Sequence, residues 1–313
     1  MRKLIRDHQL VPLLIMLAFL VLLSEIIRPG IVSLNWSGVM VRAAIPLAIL
    51  AGCQTLTMLT AGIDLSVGAI ASMAGFLVAT LVGDYGLGAA IVIALLAAAA
   101  VGLISGIGVG VLGVHPLIMT LGMSLVVLGS TNVVQVRRVQ TGAGVPDAFR
   151  TLGADMAGDI LPYSLLVFVP LAALIIFSLN RTGYGRLLYA IGDNPEASRL
   201  SGTRSWQVLI VLYVISAVLA GVAGFLLSGL TNAASVTLAD SAVLPSVAAA
   251  VIGGTSIFGG RGSYGGTLIG ALILTVITSI LSSLGYPEAI RQILFGAIIV
   301  LVAAAYTRIT SAA

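Results

Sequence analysis

Cysteine, lysine, histidine and charge are all scarce in this chain, and each shortage removes a class of function. Cys53 is the only cysteine among 313 residues, so no disulfide closes within the chain and no cysteine-built metal site exists. His8 and His115 lie far apart without companion ligands; each reads as an interfacial residue rather than a catalyst. Lys3 is the only lysine, and no Gly-x-x-x-x-Gly-Lys-Ser/Thr phosphate loop occurs anywhere, so a nucleotide site of that kind is excluded. No nucleophile–base constellation can be assembled, which argues against an enzyme working within the membrane. Charged residues make up only 8% of the chain, where soluble domains carry about 25%.

What fills the space is apolar. Hydrophobic residues reach 59% and the mean hydropathy is +1.17, so most of the polypeptide must lie in lipid. The 37 glycines suit helices that pack closely or break inside a membrane. Residues 1–6 are basic and precede an apolar run from Leu10 to Leu23. That run continues toward Ile27 without a small-residue cleavage site, so it reads as a retained first span rather than a signal peptide.

Ten apolar segments can be drawn, at roughly 10–28, 39–61, 65–83, 87–112, 116–136, 162–179, 207–231, 243–258, 265–284 and 290–307. Each is near the ~20 residues that cross a ~30 Å hydrocarbon core. The expectation is an all-α integral membrane protein of about ten transmembrane helices, formed by residues 1–313 as a single domain. An even count puts both termini on one side. With that side cytosolic, nine basic residues fall inside: Arg2, Lys3, Arg6, Arg181, Arg186, Arg199, Arg204, Arg261 and Arg308. Six fall outside, namely Arg28, Arg42, Arg137, Arg138, Arg150 and Arg291, which completes the fifteen. Asp147, Asp155, Asp159, Asp240 and Glu288 join the outer set, and the positive-inside rule therefore places both termini and the 181–206 loop in the cytosol. The basic residues sit at span ends and form no patch, so nucleic acid is not an expected partner. The halves enter the membrane from opposite sides, the parity of a five-plus-five inverted repeat, although no internal sequence similarity supports one.

The 181–206 loop holds a helix signal. Asp193 or Asn194 can accept from a first turn's free amides, Pro195 suits the first helical position, and Glu196 meets the positive end of the dipole. Gly202 then ends the helix as a left-handed cap. Such a helix is either a connector at the lipid headgroups, the commoner fate, or a rigid lever for something outside the membrane. The other long connection, 137–161, is the main external loop, with room for a surface helix or only solvated chain. Asp64 interrupts the apolar tract from Ala43 to Val82. The joint around it is a tight turn or a break within the bilayer; Asp64 caps the next helix or touches a passing solute, and an acid so placed needs a definite partner. The glycine-rich stretch 252–266 follows an apolar span rather than a strand, which argues against a dinucleotide site. Gln54, Thr57, Asp64, Asn132, Asn232 and Ser246 are the polar residues that could line a path for a neutral hydroxylated solute, or else bond one helix to the next.

Four stretches together resemble the membrane subunits of ABC importers for monosaccharides, the ribose/xylose/arabinose/galactoside permease family. They are Ala61-Gly-Ile-Asp-Leu-Ser-Val-Gly-Ala69, Pro116-Leu-Ile-Met-Thr-Leu-Gly122, Tyr189-Ala-Ile-Gly-Asp-Asn-Pro-Glu-Ala-Ser-Arg-Leu-Ser-Gly202 and Ala250-Val-Ile-Gly-Gly-Thr-Ser-Ile-Phe-Gly-Gly-Arg-Gly-Ser263. Asp193 stands where the family commonly has Gly, and Leu117 where it commonly has Phe. The resemblance implies the type II ABC importer architecture, ten spans per subunit and two subunits, identical or sister, around one pathway. It implies that Gly192, Asp193, Asn194, Pro195, Glu196, Ala197, Ser198 and Arg199 form the ATPase-coupling element, with ATP and Mg on a separate cytosolic ATPase and no cofactor in this chain. It also implies a periplasmic sugar-binding protein and residence in the bacterial inner membrane. The solute is expected to be a pentose or hexose; related permeases handle a furanosyl signalling molecule, nucleosides or branched-chain amino acids. A proton-coupled secondary transporter is the rival class, and only Asp64 resembles the mid-membrane ionisable group it needs.

Overall fold

The structure, a computed structural model, describes residues 10–138 and 144–311. The side assigned to the two termini, and part of the 137–161 loop, therefore lie outside the described residues. The chain is helical almost throughout. Helix α1 is Leu10–Ile27, α2 is Leu34–Met58, α3 is Val67–Gly110 and α4 is Pro116–Arg138. Part of the long connection between α4 and the next apolar helix forms α5, Asp147–Ala154, and a two-stranded hairpin in which Met156 pairs with Pro162 and Ala157 with Leu161. Then come α6 (Leu165–Arg181), α7 (Gly183–Asp193), α8 (Pro195–Leu200), α9 (Ser205–Thr231), a 3-10 turn at Asp240–Ala242, α10 (Val243–Ile252), α11 (Tyr264–Ser283) and α12 (Glu288–Ser311).

Among the described residues, six helices are long and apolar enough to cross a membrane, or seven if the bent pair α6–α7 counts as one span. The chain is thus a multi-pass membrane protein, but ten crossings are not reached by this count. One reason lies in α3, whose hydrogen-bonded run of 44 residues contains a non-helical Gly86 at φ 76°, ψ 163°. Only glycine adopts this conformation readily. If α3 were straight, Ala74 and Ala98 would lie ~36 Å apart. Both instead lie 3.5 Å from the Cβ position of Gly221 on α9. The chain therefore folds back at Gly86, and Ala74 and Val78 of the 67–85 arm cluster with Ala90 and Ala94 of the 87–110 arm. The two segments expected at 65–83 and 87–112 are these arms.

The segment expected to span the membrane over 243–258 is corrected. Helix α10 has ten residues, about 15 Å against a ~30 Å core. It stops at Gly253, and Gly254 turns at φ 89°. The chain from Asn232 to Ala242 ahead of it is mostly irregular. This stretch descends alongside α3. The Ala239 amide donates to Ser72 Oγ at 2.9 Å, and the Cβ position of Gly68 lies 3.0 Å from the Ala239 carbonyl. Residues 68–72 are the level at which α9 presents Gly224 to Ala71, seven residues or ~10 Å in from the end of α9. Asp240, expected at the external surface, therefore sits inside the bundle's length.

The core is the contact of α9 with both arms of α3, with α2 along one side of α9. Small residues let the backbones approach: a Cβ on Gly224 would strike the Ala71 carbonyl. In lipid, such packing replaces the hydrophobic drive between helices. Gly224→Val should destabilise the fold by about 1–3 kcal/mol, the usual cost of overpacking. Gly122→Val, on a face with nothing within 4 Å, should not. Thermal midpoints of the two purified variants, followed by size-exclusion fluorescence, check this.

Candidate functional site

The elbow begins where α6 meets α7 at 67°. Thr182 caps α7, its Oγ1 accepting from the Gly185 amide at 3.2 Å. The next cap is Asn194, whose Oδ1 accepts from the Ala197 amide at 2.9 Å. Pro195 opens α8, as its fixed φ and missing amide allow. Asp193 closes α7 instead of capping α8. At the other end Gly202 takes φ 81°, and the Thr203 amide returns to the Ser198 carbonyl at 3.1 Å. The sequence signal for this helix is thus met residue by residue. Of its six residues only Ser198 is buried. Glu196 and Arg199 pair at 2.8 Å on the open face, and Leu200 is 78% exposed.

The elbow is fixed to the bundle through backbone. A Cβ on Gly192 would overlap the Leu59 carbonyl, and its nearest other neighbour is the Gly260 amide, at 2.6 Å. That amide donates to the same Leu59 oxygen at 3.0 Å. Tyr189 Oη donates to the Gly262 carbonyl at 2.8 Å, and Tyr184 Oη to the Val208 carbonyl at 3.2 Å. The joint at 59–66, the end of α7 at Gly192 and the turn at 253–262 therefore meet at one point. The glycines of 259–262 serve this contact, with Gly259, Gly260 and Gly262 all at positive φ.

From Leu59 the first joint runs to Asp64, which is 1% exposed. Its Oδ1 accepts from the Ser66 amide at 3.0 Å and from Ser66 Oγ at 2.5 Å. Its Oδ2 accepts from Ser216 Oγ on α9 at 3.1 Å. The definite partners demanded of a buried acid are hydroxyls and an amide; no ion pair to it exists among the described residues. Gln54 clamps the Asp64 backbone, donating Nε2 to its carbonyl at 2.7 Å and accepting its amide at 3.2 Å. Thr120 does the same next door, taking the Leu65 amide at 3.0 Å and donating to the Ile63 carbonyl at 3.2 Å.

The six candidate pathway residues are spread over α2, the 59–66 joint, α4, the end of α9 and α10. Gln54 and Asp64 are joined as described, and Thr57, fully buried, donates to its own helix at Cys53 and Gln54. Ser246 is buried in α10 and donates to the Val243 carbonyl at 2.6 Å. Asn132 lies exposed on α4, bonded to the Leu128 carbonyl, and Asn232 caps α9 at φ 50°. Sequence reasoning did not single out Ser216, Thr120 or Ser72. Thr120 lies in the Pro116–Gly122 motif and could have been found there. Ser216 and Ser72 lie in apolar helices with no local signal. No group of three or more His, Cys, Asp or Glu that could hold a metal occurs among the described residues.

With this geometry in view, residues 38–303 match the family described as the permease component of branched-chain amino acid transport systems. The chain belongs to this family. The permease is 34% identical over 308 residues to the ribose import permease protein RbsC of Escherichia coli K12, covering 95% of this chain and 92% of that one. It is 33% identical over 302 residues to the fructose import permease protein FrcC of Rhizobium meliloti, covering 94% and 84%. Against the ribose import permease protein RbsC of Bacillus subtilis it is 33% identical over 298 residues, covering 95% and 92%. No solved structure matches the permease. Placing a methyl at the central contact, Gly192→Ala, should push the elbow off Leu59 and Gly260 at a cost of about 1–3 kcal/mol. Hydrogen exchange at the Gly260 amide should then quicken on the order of tenfold or more, since ~1.4 kcal/mol is one factor of ten.

Proposed function

We propose that this permease is the membrane-spanning subunit of an ATP-driven ABC importer that moves a monosaccharide, a pentose or hexose, into the cytoplasm. The observation that carries the reading is the elbow: a short, capped, almost wholly exposed helix held to the bundle by the backbone contact at Gly192. A helix with one buried residue has little intramolecular reason to be so firmly anchored. Its charged pair and bare Leu200 are suited to a partner's groove. The family match, and relatives named for ribose and fructose import, support an importer and a sugar.

In this reading Gly192 to Arg199 couple to a cytosolic ABC ATPase that holds ATP and Mg. A periplasmic sugar-binding protein delivers solute to the outer face, and a second permease subunit, identical or sister, completes the pathway. The site is the bacterial inner membrane with both termini in the cytoplasm. ATPase closure would move the elbow, and coupling requires that the elbow make different contacts in the two states. The family's description by branched-chain amino acid transport favours one second reading, an amino acid as solute in the same architecture.

Glu196→Ala with Arg199→Ala should lower ATPase association and ATP-dependent uptake in proteoliposomes by tenfold or more while the protein still inserts. Uptake at the wild-type rate, or labelling that puts 190–200 on the periplasmic face, would refute the lever. Uptake that needs no ATPase but collapses with the proton gradient would mean a secondary transporter.

A further inference from the structure

Asp64 and Asp240 both lie within the bundle, and they are treated in opposite ways. Asp64 spends both carboxylate oxygens on Ser66 and Ser216. Asp240, at the level of Ser72, is exposed, and its carboxylate takes no hydrogen bond among the described residues. An unpaired carboxylate at that depth is costly in lipid and is tolerated where it meets water. The irregular backbone around it points the same way, because non-helical chain at membrane depth persists only inside protein or along a watered cavity.

Asp240 opens onto a cleft of about 270 Å³ between the start of α3, the middle of α4 and the 3-10 turn. Leu65, Ala69, Ser124, Leu125, Leu128 and Val243 line it together with Asp240. Ser124 lies eight residues into α4, ~12 Å from its start. The cleft therefore lies along the length of α4, away from both of its ends. The two segments that pass it are the irregular ones, 59–66 leading into α3 and 232–242 leading into α10. The second runs along the first turns of α3, where Ala239 bonds Ser72 and Val243 crowds Gly68. Irregular chain inside a helix bundle is where transporters build their cargo sites.

We infer that the Asp240–Ser124 cleft is a solute subsite, taking one small neutral polyhydroxylated molecule, with Asp240 accepting hydroxyl hydrogens over an apolar floor of leucine and alanine. The volume equals that of about nine waters at ~30 Å³ each, room for a single sugar ring. A carboxylate that accepts from two hydroxyls at once, beside a serine that can donate or accept, fits a diol and offers nothing to a second negative charge. The inference rests on the importer reading and names the place within the bundle where the cargo pauses.

The test uses Leu128→Cys in the full complex of permease, ATPase and binding protein in proteoliposomes. Cys53 is buried and hydrogen-bonded, so it stays silent toward a membrane-impermeant methanethiosulfonate reagent. Residue 128 should label, and ribose or fructose at millimolar concentration should slow labelling at least fivefold. Adding Asp240→Asn, close in size and shape, should abolish that protection. In uptake assays Asp240→Asn and Ser124→Ala should change the ratio of ribose to fructose transport at least fivefold, which a purely structural defect would leave constant. An unlabelled residue 128, or labelling that neither sugar slows in a complex that transports one of them, would overturn the subsite. A wild-type complex that takes up neither sugar would instead count against the sugar importer, and accessibility at residue 128 would still decide whether the cleft holds water.

Discussion

Backbone that leaves a helix inside a membrane must find its hydrogen-bond partners within the protein, and this constraint organises the structure. The Asp64 joint meets it with side chains from two other helices. Gln54 satisfies both backbone groups of Asp64, and Thr120 satisfies Ile63 and Leu65. The descending 232–242 stretch meets it through Ser72, and the glycine-rich turn through Leu59 and Tyr189. Most of the uncharged polar residues in the apolar helices are thus occupied with backbone.

The same bonds make the elbow part of a continuous frame. Helix α8 follows α7 through one capped residue, and α7 abuts Leu59 and Gly260 at Gly192. Leu59 begins the joint whose far end is held by Thr120 on α4 and Ser216 on α9. Each link is backbone or a short side chain, with little slack for a displacement to dissipate into. A flexible lysine or arginine linkage would transmit far less. The scarcity of charge and the abundance of glycine are two aspects of one design, in which elements touch directly.

The elbow was legible in the sequence because its signals are local. Asn194, Pro195, Glu196 and Gly202 each act on amides or carbonyls within a few residues, and the helix runs 195–200 as those positions require. The apolar segments were legible as well, including both arms of α3, since hydropathy needs no knowledge of neighbours. What was not legible was depth. The 243–258 stretch is apolar enough for a span but ends at Gly253, and its shortness is set by packing against α11, where Gly253 and Gly270 admit close backbone. The span count puts Asp240 outside, because it falls between the apolar segments 207–231 and 243–258. Its true level follows from the Ser72 bond, a partner 167 residues away.

That bond also separates two roles a buried acid can have. A carboxylate whose oxygens are all engaged is part of the frame, and its desolvation is offset by the hydroxyls that surround it. Asp64 meets this description, with Ser66 and Ser216 as its partners. A carboxylate with its oxygens open, held by a backbone that is itself pinned, is maintained at the expense of stability for the sake of what it meets. The Ala239–Ser72 bond pins the segment one residue before Asp240, while Asp240 itself lines the cleft that Ser124 and Leu128 also line. A serine directed to hold position 239, next to an acid left unpaired, is hard to explain by packing alone. It is the expected arrangement when the acid must stay at a fixed depth to receive a changing partner.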